Sequence, residues 1–184
     1  VRVVAGAARG RRLVAPEGRA TRPTSDRVRE ALFNALGSMD VLVGARVADL
    51  FAGSGALGIE ALSRGAAHVT FVESDRAAVE VIRRNLELCG FADRARVRLD
   101  AVEREVPTLG PLDLVLADPP YAYDGWGALS AGIRARVLVV ESDRAVVLSP
   151  DWEVQRSRTY GGTVLQIATR VGPEPATEPQ EPAP

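Results

Sequence analysis

Lysine is missing altogether: the chain of 184 residues carries 23 basic side chains, and every one is arginine. That absence excludes a Schiff-base lysine, a P-loop lysine and a lysine general base. One cysteine, Cys89, and one histidine, His68, exclude a disulfide framework and a Cys/His metal site, and no metal is expected. No apolar run approaches the ~18 residues needed to span a membrane, so no membrane partner is expected. No signal peptide is visible, and the expected address is the cytoplasm. What is present, 46% apolar and 26% charged residues, suits one soluble globular domain with a real core.

The net charge of −1 conceals an uneven distribution. Residues 172–184 (GPEPATEPQEPAP) hold five prolines and three glutamates, and without them 23 arginines face 21 acids. The first thirty residues carry eight arginines against three acids. A basic arm on a near-neutral body points to a polyanionic partner, and the proline- and glutamate-rich tail is expected to be disordered.

The body reads as alternating strands and helices. RVVAG (2–6) and RRLVAP (11–16) suggest a small hairpin. Thr24 is the expected N-cap of a helix with Val28, Ala31, Leu32, Ala35 and Leu36 at helical spacing, Asp26 in its first turn and Gly37 at its end. Then come strand RVADL, a helix to Gly65, strand HVTFVE, a helix capped by Ser74 and running to Gly90, and strands RVRLD, LDLVLA and RVLVVES. These β-branched runs suit a parallel sheet covered on both faces. WEVQRSRTY, Gly161-Gly162 and TVLQIATR read as an antiparallel hairpin. The expected fold is therefore a Rossmann-like, mostly parallel α/β sheet with a C-terminal antiparallel hairpin and a small N-terminal β-hairpin extension. Its expected parts are a basic extension over 1–22, a main domain over 23–171 and the tail over 172–184.

Two motifs carry chemistry. Asp49-Leu-Phe-Ala-Gly53-Ser54-Gly55-Ala-Leu-Gly58 follows a strand and opens a helix, so its glycines allow a sharp turn and a close ligand approach beside free helix N–H groups. Glu73, at the end of the next strand, is placed to take the hydroxyls of a ribose. A nicotinamide dinucleotide would satisfy these features. Asp49 favours another ligand, since a carboxylate beside a pyrophosphate repels while one beside an ammonium group attracts. Asp100, ending the third strand, can accept from an adenine amino group. Both acids fit S-adenosylmethionine, with Ser74 and Ala101 as neighbouring cofactor contacts.

The second motif, Asp118-Pro119-Pro120-Tyr121, follows strand LDLVLA. Its prolines fix the backbone past the strand's carboxyl end, where such sheets bind ligands. Asp118 and the Pro119 carbonyl can accept from one exocyclic amine, freeing its lone pair for attack on a sulfonium methyl, while Tyr121 offers a ring for stacking. The methylated amine can lose its proton to solvent, so no further base is required. His68 and Cys89 read as packing residues.

Asp-Pro-Pro-Tyr behind a DxFAGSGxLG loop resembles the S-adenosylmethionine-dependent amino-methyltransferases. RVVAG, ARGRRL and RPTSDRVREALFN are similar to the RsmD family of small-subunit ribosomal RNA guanine-N2 methyltransferases, from residue 2 to about 170. The resemblance implies methylation of a guanine N2 amine in 16S rRNA; the small ribosomal subunit is the expected setting, naked RNA stays open as substrate, and a monomer is the default state. It places Asp49, Gly53, Ser54, Gly55, Gly58, Glu73, Ser74, Asp100 and Ala101 in the cofactor site and Asp118, Pro119 and Tyr121 in the amine site. The connection 122–135 is shorter than the family's, leaving Tyr123 and Trp126 either to stack on substrate or to plug the gap. Arg2, Arg9, Arg11, Arg12, Arg22 and Arg27, with Arg19, are candidate phosphate contacts. Two other functions remain open on the residues alone: a non-catalytic RNA-binding assembly factor and a nicotinamide-dependent oxidoreductase. DNA adenine-N6 enzymes share the tetrapeptide, so it does not by itself name the base.

Overall fold

The computed structural model describes residues 1–16 and 26–172. The expected Thr24 cap, Arg19, Arg22 and the tail from 173 onward lie outside the described residues.

Seven strands form one sheet: β1 (Arg46–Leu50), β2 (His68–Glu73), β3 (Ala95–Leu99), β4 (Leu112–Ala117), β5 (Ala135–Ser142), β6 (Trp152–Tyr160) and β7 (Thr163–Arg170). Their order is β3-β2-β1-β4-β5-β7-β6. The first five run parallel, and β7 slots antiparallel between β5 and β6. The order reverses between β1 and β4, and in open α/β sheets the crevice at the carboxyl ends of such strands is where ligands bind.

Burial of both faces explains the unbroken apolar strands. On one side Val47, Val69, Phe71, Leu114, Leu116 and Val139 pack with Leu32, Phe33, Ile59, Leu62, Ile82 and Leu86, which sit on α1 (Asp26–Ser38), α2 (Ala56–Ser63) and α3 (Arg76–Cys89). On the other, Ala48, Leu50, Val115, Leu138 and Val140 meet Val102, Trp126 and Leu129 from α4 (Val102–Glu105) and α5 (Trp126–Gly132). Among the described residues no helix is long and apolar enough to cross a membrane.

Several boundaries differ from the expected ones. α3 is capped by Asp75, whose side chain accepts from the Ala77 N–H, while the preceding Ser74 is left facing a cavity. α1 runs through Gly37 to Ser38, because the left-handed residue that reverses the chain is Asp40, with φ 55°. Only Gly161 of the glycine pair takes a positive φ.

The N-terminal hairpin contains one bridge, Arg2 opposite Arg12, flanked by hydrogen bonds from Val3 N–H to Arg11 O and from Leu13 N–H to Val1 O. Its stability comes from helices beneath it. Buried Glu60 of α2 accepts from Val4 N–H (2.7 Å) and Ala5 N–H (3.0 Å). Ser63 Oγ donates to Ala5 O and accepts from Ala8 N–H. Buried Arg29 donates to Arg2 O (2.6 Å) and to Asp26 (2.7 Å). The basic arm is therefore a docked segment.

Gly6 makes that docking possible. Its φ is +81°, and a Cβ there would lie 1.9 Å from the Ser63 carbonyl oxygen. Gly10 has a similar φ of +83°, but a Cβ there meets nothing within 4 Å. Gly10→Ala is expected to lower stability by about 1 kcal/mol, the cost of the left-handed backbone alone. Gly6→Ala should lose roughly 2–4 kcal/mol, because the clash adds to the same backbone cost. Urea unfolding of the two variants side by side checks the difference, and equal losses would contradict the docking described here.

Candidate active site

The glycine loop leaves β1 under strain. Phe51 holds φ 59°, a left-handed conformation unfavourable for a bulky aromatic, and Gly53 (φ 55°) and Gly55 (φ 77°) complete the turn into α2. Gly58 lies flat against β2, since a Cβ on it would come within 2.3 Å of the Phe71 ring. Its N–H donates to Asp49 Oδ2 at 2.8 Å. Glu73 braces the loop from β2, accepting from Gly53 N–H at 2.9 Å and from Asp75 N–H at 2.8 Å. Asn85 of α3 donates to Ser54 O (2.9 Å) and Val14 O (3.0 Å), joining the loop to the N-terminal segment.

These elements enclose a cavity of about 630 Å³ at the β1/β4 switch point, large enough for a nucleoside-sized ligand. Asp49, Gly53, Ser54, Glu73, Ser74, Asp118, Pro119 and Tyr121 all line it. Two stretches 69 residues apart in sequence thus share one chamber, Asp49 with Asp118. Gly55 and Gly58 are not part of its lining. Asp100 and Ala101 are placed differently from the expectation. Asp100 accepts from Ala101 N–H and is ion-paired with Arg104 of α4, whose hydrogen bond holds its carboxyl below the usual range. Neither residue is part of the cavity lining.

Tyr121 is exposed, its hydroxyl 3.3 Å from Thr163 Oγ1. Arg144 donates to its carbonyl oxygen at 3.3 Å and clasps the loop from outside. Tyr123 lines the cavity and stacks edge-on with Phe51 (5.1 Å) and Trp126 (5.3 Å). Burial, helped by Glu103, pushes its hydroxyl up to about 12. Trp126 is buried in the core beneath the sheet face of β4 and β5. His68 opens β2 and Cys89 ends α3, both only partly buried and outside the cavity.

The arginines fall into two groups. Arg9, Arg11, Arg12 and Arg27 are exposed, whereas Arg2 is ion-paired with Asp26 at 2.9 Å. Arg22 lies outside the described residues. Lining residues that were not anticipated include Arg29, Phe51, Glu103 and Glu141. Glu141 had a signal, since Glu73, Asp118 and Glu141 all stand at the carboxyl ends of parallel strands. Among the described residues no cluster of side chains could hold a metal ion.

The electrostatics are those of crowded, dehydrated acids. Asp49 is 1% exposed. Burial pushes its carboxyl up to about 8, with Glu73 adding to the rise and the Gly58 N–H opposing it. Asp118 is raised well above the usual carboxylate range by burial, then by Glu141 and Asp49. Among the described lining residues, Asp49, Glu73, Glu103, Asp118 and Glu141 outnumber Arg29.

A parallel sheet with an inserted antiparallel β7, a glycine loop over a buried acid and Asp-Pro-Pro-Tyr at the switch point together define a Rossmann-like methyltransferase. The family model described as Conserved hypothetical protein 95 matches residues 1–169, and the chain belongs to this family. The chain is 43% identical over 185 aligned residues to Ribosomal RNA small subunit methyltransferase D of Escherichia coli (strain K12), covering 92% of this chain and 90% of that protein. The protein of the same name from Haemophilus influenzae is 35% identical, covering 88% and 89%. The solved structure of yhhF from Escherichia coli superposes with a TM-score of 0.82 at 35% identity, covering 92% of this chain and 97% of that one. Magnesium protoporphyrin IX methyltransferase from Synechocystis, at 15% identity, a TM-score of 0.64 and 79% coverage of each chain, shares the fold alone.

The raised Asp49 has a measurable consequence. The folded chain keeps a proton that the unfolded chain releases near the ordinary value of 3.8. This group's contribution to stability is therefore greatest at low pH, declines as pH rises from about 4 to about 8, and is level above that. Asp49→Asn, which mimics the protonated acid, should flatten the decline. Urea unfolding across that range, wild type against variant, measures it, and identical slopes would refute the assignment.

Proposed function

We propose that this chain transfers a methyl group from S-adenosylmethionine to the exocyclic N2 amine of a guanine in 16S ribosomal RNA. It would act as a cytoplasmic monomer on RNA within the small ribosomal subunit. One observation carries this reading: a cation-seeking acid (Asp49), an acid at the ribose position (Glu73) and the Asp118-Pro119 acceptor pair line a single cavity. The names of the relatives support ribosomal RNA as the substrate, and the RPTSDRVREALFN string supports guanine N2.

The donor set fits the cofactor. Asp49 is a dehydrated acid that a neighbouring ammonium group would restore to its charged form. Glu73 accepts from the Gly53 and Asp75 N–H groups, which fixes its carboxylate at the strand end where a ribose hydroxyl could donate to it. A pyrophosphate above Asp49 would instead meet repulsion, which disfavours a nicotinamide dinucleotide. When bound, S-adenosylmethionine supplies a methyl carbon on a positively charged sulfur.

The chain's own residues do the rest. The target base leaves its stack at a cost of a few kcal/mol and lies against Tyr121. Asp118 and the Pro119 carbonyl accept from the N2 hydrogens, so the nitrogen lone pair is no longer held in the ring and aims at the methyl carbon. As the N–C bond forms and the C–S bond breaks, Asp118, with its carboxyl ionised, would take the surplus proton from the amine nitrogen, or solvent would take it afterwards. Arg9, Arg11, Arg12 and Arg27 hold phosphates without reading sequence.

Asp118→Ala is expected to lower methyl transfer by about 10²–10⁴-fold and to leave cofactor binding intact. Labelled-methyl incorporation into unmethylated small subunits and naked 16S rRNA, mapped by mass spectrometry, measures the first, and calorimetry the second. A fully active variant would sink the mechanism, and wild-type protein inactive on both RNAs would sink the function.

A further inference from the structure

We infer that Glu141 reads the N1–H edge of the target base and makes the pocket selective for guanine over adenine, an inference that rests on the methyl-transfer reading above.

Register places it for this role. β4 and β5 run parallel with Ala117 opposite Val140, so Asp118 and Glu141 occupy the next level on adjacent strands, whose backbones lie about 4.8 Å apart. Residues level with each other in a parallel pair point to the same face. That face is also the one of Asp49, which is level with Leu116 on β4, two residues before Asp118. Asp118 and Glu141 both line the cavity, and Glu141 is only 5% exposed. Its neighbour on β7 is apolar Leu165.

Two buried carboxyl groups side by side repel unless donors come between them, and Glu141 is the larger charge contribution to the raised Asp118. The Watson–Crick edge of guanine carries three N–H bonds in a row, two on N2 and one on N1. Asp118, the Pro119 carbonyl and Glu141 are three acceptors lining one cavity, and side chains from adjacent strands can converge on neighbouring groups of one base edge. Adenine carries its amine beside an N1 lone pair. With the amine on Asp118 and Pro119, that lone pair would face the Glu141 carboxylate. The Asp-Pro-Pro-Tyr loop recognises an amine in general, and the acid on the next strand decides which purine presents it.

The experiment uses 16S rRNA ligated with either guanine or 2-aminopurine at the methylated position. 2-Aminopurine keeps the N2 amine but replaces N1–H by an acceptor. Wild-type protein is expected to prefer guanine by about 100-fold or more in kcat/KM, because the analogue leaves a buried acceptor facing a lone pair. In Glu141→Gln the side-chain amide can accept from guanine or rotate to donate to 2-aminopurine, and the preference should narrow to within about 10-fold. Equal use of the two RNAs by wild-type protein, a test that needs no variant, would overturn the inference. So would a Glu141→Gln preference as wide as the wild-type one, which would leave Glu141 a packing residue. Wild-type protein inactive on the guanine RNA would overturn the methyl-transfer reading itself, a different result from either of these.

Discussion

The close approach of α2 to β2 at Gly58 sets the geometry on which the site depends. A side chain there would occupy the space of the Phe71 ring, so only glycine lets the helix lie this near the sheet. The same residue donates its N–H to Asp49, which partly offsets the burial of that carboxyl and points it toward the loop. α2 in turn carries Glu60 and Ser63, which hold the N-terminal segment through its backbone amides. One missing side chain thus helps position Asp49 and, through α2, the docked N-terminal segment.

The cavity concentrates acidic side chains. Asp49, Glu73, Asp118 and Glu141 stand at the carboxyl ends of four adjacent parallel strands and share one lining. Burial raises the proton affinity of Asp49 and Asp118. In the proposed reading, a ligand bringing an ammonium group and a base edge rich in N–H bonds would relieve that crowding.

Much of the fold was legible because its signals are local. Apolar β-branched runs, Gly90 after α3 and the Asp-Pro-Pro-Tyr turn each act within a few residues. The discrepancies are also local, at positions where two residues compete for one role. Asp75 wins the cap of α3 because its longer reach meets the Ala77 N–H, and Asp40 takes the left-handed turn expected near Gly37. Asp100 sits where the strand pattern placed it, but Arg104, one helical turn on, claims its carboxylate.

By itself, then, the amino-acid order determined the alternation of elements, the glycine loop, the Asp-Pro-Pro-Tyr turn and the absence of lysine chemistry, all of which are set by short-range sterics and side-chain type. Tertiary structure decided which acids meet. Parallel pairing of β4 with β5 brings Asp118 level with Glu141, and the strand reversal between β1 and β4 brings both toward Asp49. The arginine arm was legible as charge, but its anchoring on Glu60, Ser63 and Arg29 depends on hydrogen bonds spanning 27 to 58 residues. Register and long-range hydrogen bonding are properties of the folded backbone, and no local pattern of side chains encodes them.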